Sequence, residues 1–96
     1  MSSTIPSYIE YAISDLHDTL KSKNADYRID GEFSNFEFAA EVAGIETVDA
    51  IATQVGIKLG RIKGLSDPNN EALLDSYKDL AGYAIILYAH ALSLQD

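Results

Sequence analysis

Residues 71–94 read EALLDSYKDLAGYAIILYAHALSL, and this stretch decides the fold. Leu73, Leu74, Tyr77, Leu80, Ala81, Ala84, Ile85, Leu87 and Tyr88 recur mostly at steps of three and four, the period of a helix with an apolar side. After Tyr83 the stretch is apolar over most of its circumference. A helix of that kind lies at the centre of a bundle or in a subunit interface. The pattern predicts a helix over about 71–94, entered through the turn formers Asp67, Pro68, Asn69 and Asn70.

The preceding segments carry the same period. Val48, Ala52, Val55, Leu59 and Ile62 alternate steps of four and three, which predicts a third helix over about 47–65 with a packing seam. Gly56 and Gly60 leave one side of it bare. Each costs about 1 kcal/mol relative to alanine, so a close neighbour, either another helix or a ligand, is expected there. A second helix is predicted over 34–43. Ser34 and Glu37 fit a capping box, Phe33 and Phe38 a hydrophobic staple, and Phe36, Ala39, Ala40 and Ala43 a core-facing side, with Gly44 as the stop. The first helix is predicted over about 7–22, capped by Ser7 with Glu10 and striped by Ile9, Ile13, Leu16 and Leu20. The polar run from Lys21 to Gly31 reads as a loop, and only Tyr27–Ile29 hints at strand alternation. The expected architecture is all-α, a four-helix bundle-like single domain over 1–96.

Composition narrows the function. Asp and Glu number 15 against 7 Lys and Arg, a net charge of −8. Affinity for duplex nucleic acid and for anionic membrane surfaces comes from Lys and Arg, so neither partner is expected. There is no cysteine, which excludes a disulfide framework and a thiolate zinc site. No apolar run reaches the roughly 18 residues of a membrane span. The start, MSSTIPSY, lacks the features of a signal peptide. A cytoplasmic protein is expected. At 96 residues a chain buries only about two thirds of its unfolded surface, so self-association to complete the core is expected as well.

Two kinds of charge cluster could carry chemistry. Glu37 and Glu41 stand one helical turn apart, and Glu71, Asp75 and Asp79 form a longer stripe at the same step. Residues four apart on a helix are neighbours, so facing pairs would offer Mg²⁺ the oxygen ligands it takes. A solvated helix side is the competing reading. Between Asp49 and Asp67 there is no acid, yet Lys58, Arg61 and Lys63 fall there. Lys58 and Arg61 beside the bare glycines could cradle a phosphate, or pair with Asp75 and Asp79. Both can hold in one polar network. His17 and His90 lack companions at metal-ligand spacing and read as structural or exposed. Tyr8, Tyr11, Tyr77, Tyr83 and Tyr88 read as core or interface residues, any of which can stack on a base. Phosphate-loop and nucleophile-elbow motifs are absent.

Three segments in order carry a resemblance: Phe33-Ser-Asn-Phe36 before an alanine-rich helix, Lys58-Leu-x-Arg61-Ile, and Asp75-Ser-Tyr-x-Asp79-Leu-Ala-Gly-Tyr83-Ala. Together with His17 and the Lys23–Tyr27 stretch they resemble, over about residues 17–90, the small phage-borne nucleotide-modification-associated domain 1. That domain is similar to the all-α, MazG-like nucleotide pyrophosphohydrolases. The resemblance implies a helical dimer or tetramer that binds a nucleoside triphosphate. It also implies Mg²⁺ held by Glu-x-x-Glu on one helix and Glu-x-x-Asp on a later one, and hydrolysis between the α and β phosphates. Glu41 and Asp79 match the last position of each motif and are the metal ligands it implies. Three residues earlier stand Phe38 and Ser76, neither an acid, and Glu37 and Asp75 one position further back are the substitutes. On this resemblance Lys58, Arg61, Asn35, Phe36, Tyr83 and Asp79 are the expected ligand-binding set.

Three functions follow as expectations. The first is a phage-type protein in the host cytoplasm that captures a nucleotide or cyclic-nucleotide-like signal at an oligomer interface without turnover. The second is a Mg²⁺-dependent pyrophosphohydrolase using Glu37, Glu41, Asp75 and Asp79. The third is an acidic helical module that binds or inhibits another protein, with charge steering the encounter.

Overall fold

Ser7 opens the first helix: its Oγ accepts the backbone N–H groups of Ile9 at 3.1 Å and Glu10 at 3.3 Å, the forward half of a capping box. The computed structural model describes residues 7–27, 33–65 and 71–95, with side chains in the first helix described as far as Ser22. Among these residues the chain forms four α-helices and no strand: α1 Tyr8–Tyr27, α2 Ser34–Ala43, α3 Thr47–Lys63 and α4 Glu71–Ser93. The fold is all-α, as the periodicity predicts. No described helix is long and apolar enough to cross a membrane.

α1 runs five residues past its predicted end. The apolar stripe stops at Leu20, but Lys21–Tyr27 contains neither Pro nor Gly, and polarity alone does not break a helix. Tyr27, the first residue of the strand-like stretch, is therefore helical; Arg28 and Ile29 lie outside the described residues, as does the turn predicted at Asp67–Asn70.

The predicted cap of α2 is corrected by one residue. Phe33, not Ser34, occupies the N-cap position, and no side chain caps the end. The Phe33 carbonyl instead accepts the Glu37 N–H at 2.9 Å. The Phe33 ring meets His90 of α4 edge-on, with centroids 5.2 Å apart, and this tertiary contact accompanies the earlier start of the first turn. Phe38, the expected staple partner, is left 68% exposed. At the other end Gly44 stops the helix as predicted, with φ 72°. Its N–H donates to the Glu41 carbonyl and the Ile45 N–H to that of Ala40, at 3.3 and 3.0 Å, a Schellman closure that needs a left-handed residue.

α3 packs most extensively on α4 and next on α2, while α1 rests more lightly on α4. The buried centre holds Ile51, Ala50, Ala40, Leu73 and Ser76, whose hydroxyl donates to the Ala72 carbonyl at 2.8 Å. The predicted seam of α3 faces partly the wrong way. The covered side carries Thr47, Ala50, Ile51, Gln54, Val55, Lys58 and Ile62, whereas Val48, Ala52 and Leu59 are exposed. At 100° per residue the predicted seam is rotated by about 80° from the covered side. Periodicity finds an apolar stripe but not which neighbours take it. Gly56 and Gly60 face open space, with nothing within 4 Å of where a side chain would begin.

α1 crosses α4 at Gly82, which is buried. A Cβ there would lie 3.7 Å from Leu20 Cδ2 and 4.0 Å from Leu16 Cδ2. One turn away Lys78 Nζ meets Asp15 Oδ2 at 2.9 Å. These are ordinary contact distances, so Gly82→Ala is expected to fit without moving α1. The gain in helix propensity is about 1 kcal/mol, which raises the melting temperature by about 4–8 °C. A thermal melt showing destabilisation would mean that the two helices cross more closely than this.

Candidate ligand-binding cleft

α1, the start of α2 and the middle of α4 border a cleft of about 760 Å³ that is open to solvent on one side, within the roughly 300–1,000 Å³ of small-molecule sites. Gly82 lies in its wall, where α1 and α4 cross. Apolar walls come from Ile13, Leu16 and Leu20 on α1 and from Ile85, Ile86 and Ala89 on α4. Phe33, Phe36 and Tyr83 add aromatic surface. The Phe36 and Tyr83 rings meet edge to face, with centroids 6.3 Å apart and planes at 85°, a favoured geometry for an aromatic pair.

Polar groups converge on the same space. His17, Thr19 and Lys21 reach it from α1, Asn35 from the first turn of α2, and Lys78 and Asp79 from α4. Because Phe33, Asn35 and Phe36 all line the cavity, the partially positive N-terminal end of α2 borders it. Lys78 has its pKa raised above the ordinary 10.5, chiefly by the hydrogen bond it donates to Asp15, so it is a cation throughout the neutral range. His17 is exposed, with Nδ1 3.5 Å from Asp18 Oδ1.

Of the six ligand-binding residues expected from the sequence, Asn35, Phe36, Asp79 and Tyr83 line this one cavity. Lys58 stands behind it. Its Nζ lies 3.1 Å from Asp79 Oδ2, so the ion-pairing reading of this lysine is the one observed, and it holds a carboxylate rather than a phosphate. Arg61 is exposed on α3 and is not part of the lining. Lys21 and Lys78 were not singled out by sequence reasoning. The signal for Lys21 was its position one turn beyond His17, which puts both on one helix face.

The implied Mg²⁺ set does not converge within the chain. Glu37 and Glu41 are exposed on α2 and Asp75 is exposed on α4, while Asp79 is engaged by Lys58. Among the described residues no three His, Asp or Glu side chains stand close enough to share a cation. The four acids therefore do not fit a resident divalent ion in a single chain, and no chemical step is routed through one.

In comparisons with known proteins the chain matches no family model, no curated protein and no solved structure.

Proposed function

We propose that this protein captures a nucleotide or cyclic-nucleotide-like molecule in the α1–α2–α4 cleft and holds it without turnover. The observation that carries this reading is the cleft's composition: aromatic and aliphatic walls joined to Lys21, Lys78 and His17 and to the N-terminal end of α2. A flat base is served by Phe36 and Tyr83, since aromatic faces accept any base. A phosphate is served by Lys21 and the N-terminal end of α2, with Asn35 as a further hydrogen-bonding group, while Lys78 is held by Asp15. Lys21 thereby takes the part first expected of Lys58 and Arg61. The resemblance to the phage-borne domain supports the same reading, including residence in the cytoplasm of an infected cell. Absence of turnover is inferred from the dispersed acids.

The test is to incubate the protein with a panel of mono-, di-, tri- and cyclic nucleotides, denature it, and identify what is released. Recovery of an intact nucleotide in stoichiometric amount is expected. Lys21→Glu should weaken that binding by roughly 10- to 100-fold, the worth of a charged hydrogen bond. Failure to bind any member of the panel overturns the proposal. Release of pyrophosphate from a triphosphate in the presence of Mg²⁺ would assign the hydrolase activity instead.

A further inference from the structure

The cleft has two ends of different character. Phe33 meets His90 and Phe36 meets Tyr83, so α2 starts beside the C-terminal half of α4 and runs back towards its middle. The N-terminal end of α2, with Asn35, therefore lies to one side of Tyr83. Asp79 lies to the other side, four residues and about 6 Å back along the axis of α4. Residues four apart are neighbours on a helix face, so Asp79 and Tyr83 are neighbours in the lining.

Among the described residues Asp79 is the one carboxylate that borders the cleft. Lys58 reaches its Oδ2 from α3 at 3.1 Å and leaves 36% of the side chain exposed. Two carboxylate oxygens carry about four acceptor sites, and the described residues fill only the one taken by Lys58. Lys58 also supplies the counter-charge. The partner that suits the remaining sites is a set of neutral N–H donors, not a second cation. A phosphate is repelled from this end and drawn to the start of α2 and to Lys21, which sets the direction in which a nucleotide lies.

A carboxylate accepts hydrogens and gives none, so it reads a base by the donors on its pairing edge. Guanine presents two side by side, N1–H and the N2 amino group, which match the two oxygens of one carboxylate. Adenine and cytosine present one amino group beside a ring nitrogen that is itself an acceptor. Uracil and thymine present a single N–H between two carbonyls. An acceptor set against Asp79 would lose its water without gaining a donor.

We propose that Asp79 selects guanine, accepting N1–H and the N2 amino group of a base that lies beside Phe36 and Tyr83; this rests on the capture reading and names its base. The test is to run the mono-, di-, tri- and cyclic nucleotides as parallel sets carrying guanine, hypoxanthine, xanthine or adenine, with titration calorimetry on the unaltered chain. Guanine should bind tightest. Hypoxanthine keeps N1–H but lacks the amino group and should bind roughly 10- to 100-fold more weakly, the worth of one hydrogen bond to a charged group. Adenine should lose at least as much. In Asp79→Asn the carboxamide offers one donor and one acceptor, which match the C2 carbonyl and N1–H of xanthine, so the preference should pass from guanine to xanthine. Circular dichroism checks that this variant stays helical without the Lys58 ion pair, and the comparison of bases on the unaltered chain does not depend on it. Capture of a nucleotide with adenine as tight as guanine would overturn the guanine assignment and leave capture standing. So would a helical Asp79→Asn protein that still prefers guanine to xanthine. Binding of no nucleotide would overturn both.

Discussion

Truncating Ile51 to alanine is expected to cost about 3 kcal/mol, within the 2–5 kcal/mol typical of buried isoleucine, and to lower the melting temperature by roughly 12–24 °C. Ile51 has no exposed surface and, with Ser76, is one of the two fully buried large side chains among the described residues. Around it the described buried apolar groups are Ala40, Ala50 and Leu73, so few other side chains can move into the space that is left. A domain of this length has about 5–14 kcal/mol of stability in all. Urea denaturation followed by circular dichroism measures the change directly. Ile57 is the control: it is on the same helix, 51% exposed, and its alanine variant should remain within about 0.5 kcal/mol of the parent. Equal effects at the two positions would mean that α3 turns a different side to α2 and α4.

The second large effect is expected on binding. Tyr83→Ala should weaken nucleotide capture by roughly 10- to 100-fold, because stacking on an aromatic ring contributes about 1–3 kcal/mol per base. Removing the ring also takes away the edge contact that orients Phe36. Tyr83→Phe preserves the ring and should bind nearly as well as the parent. Tyr11 is 70% exposed on α1 and does not line the cleft, so Tyr11→Ala should leave affinity unchanged. Titration calorimetry with whichever nucleotide the panel identifies distinguishes the three variants. Equal binding by the Tyr83→Ala protein would remove the aromatic part of the proposed site, while the contribution of Lys21 would stand or fall by its own variant.

Much of the fold was legible before any coordinates, and the residues that made it so are local ones. Ser7 caps α1 through hydrogen bonds to residues two and three positions on. Gly44 ends α2 because its left-handed backbone lets two N–H groups fold back on the last turn. The three-and-four step sets helical type wherever it runs. The misreadings arose where a distant residue intervenes. Ser34 has the chemistry of a cap, yet the helix begins around Phe33, whose ring is committed to His90. Val48 and Leu59 have the spacing of a packing seam, yet α2 and α4 cover the adjacent side of α3.

The candidate site divides in the same manner. Asn35, Phe36, Asp79 and Tyr83 were expected from the resemblance to act together and do line one cavity, because the Phe33 and Phe36 rings of α2 meet His90 and Tyr83 of α4. The source of positive charge was not legible. Lys58 and Arg61 stand out in an acid-free window of the chain, but the packing of α3 on α4 turns Lys58 onto Asp79 and leaves Arg61 outside. Lys21 and Lys78 border the same cleft because α1 packs across α4 beside Gly82. The amino-acid sequence by itself determined four helices, the cap at Ser7, the stop at Gly44 and an acidic charge balance, since these depend on neighbours within a few residues or on a simple sum. Only the tertiary structure decided which side of each helix is covered, which lysines reach the cleft and which apolar side chains stay exposed. Those depend on where helices cross, and a crossing is set by contacts between residues far apart in the chain.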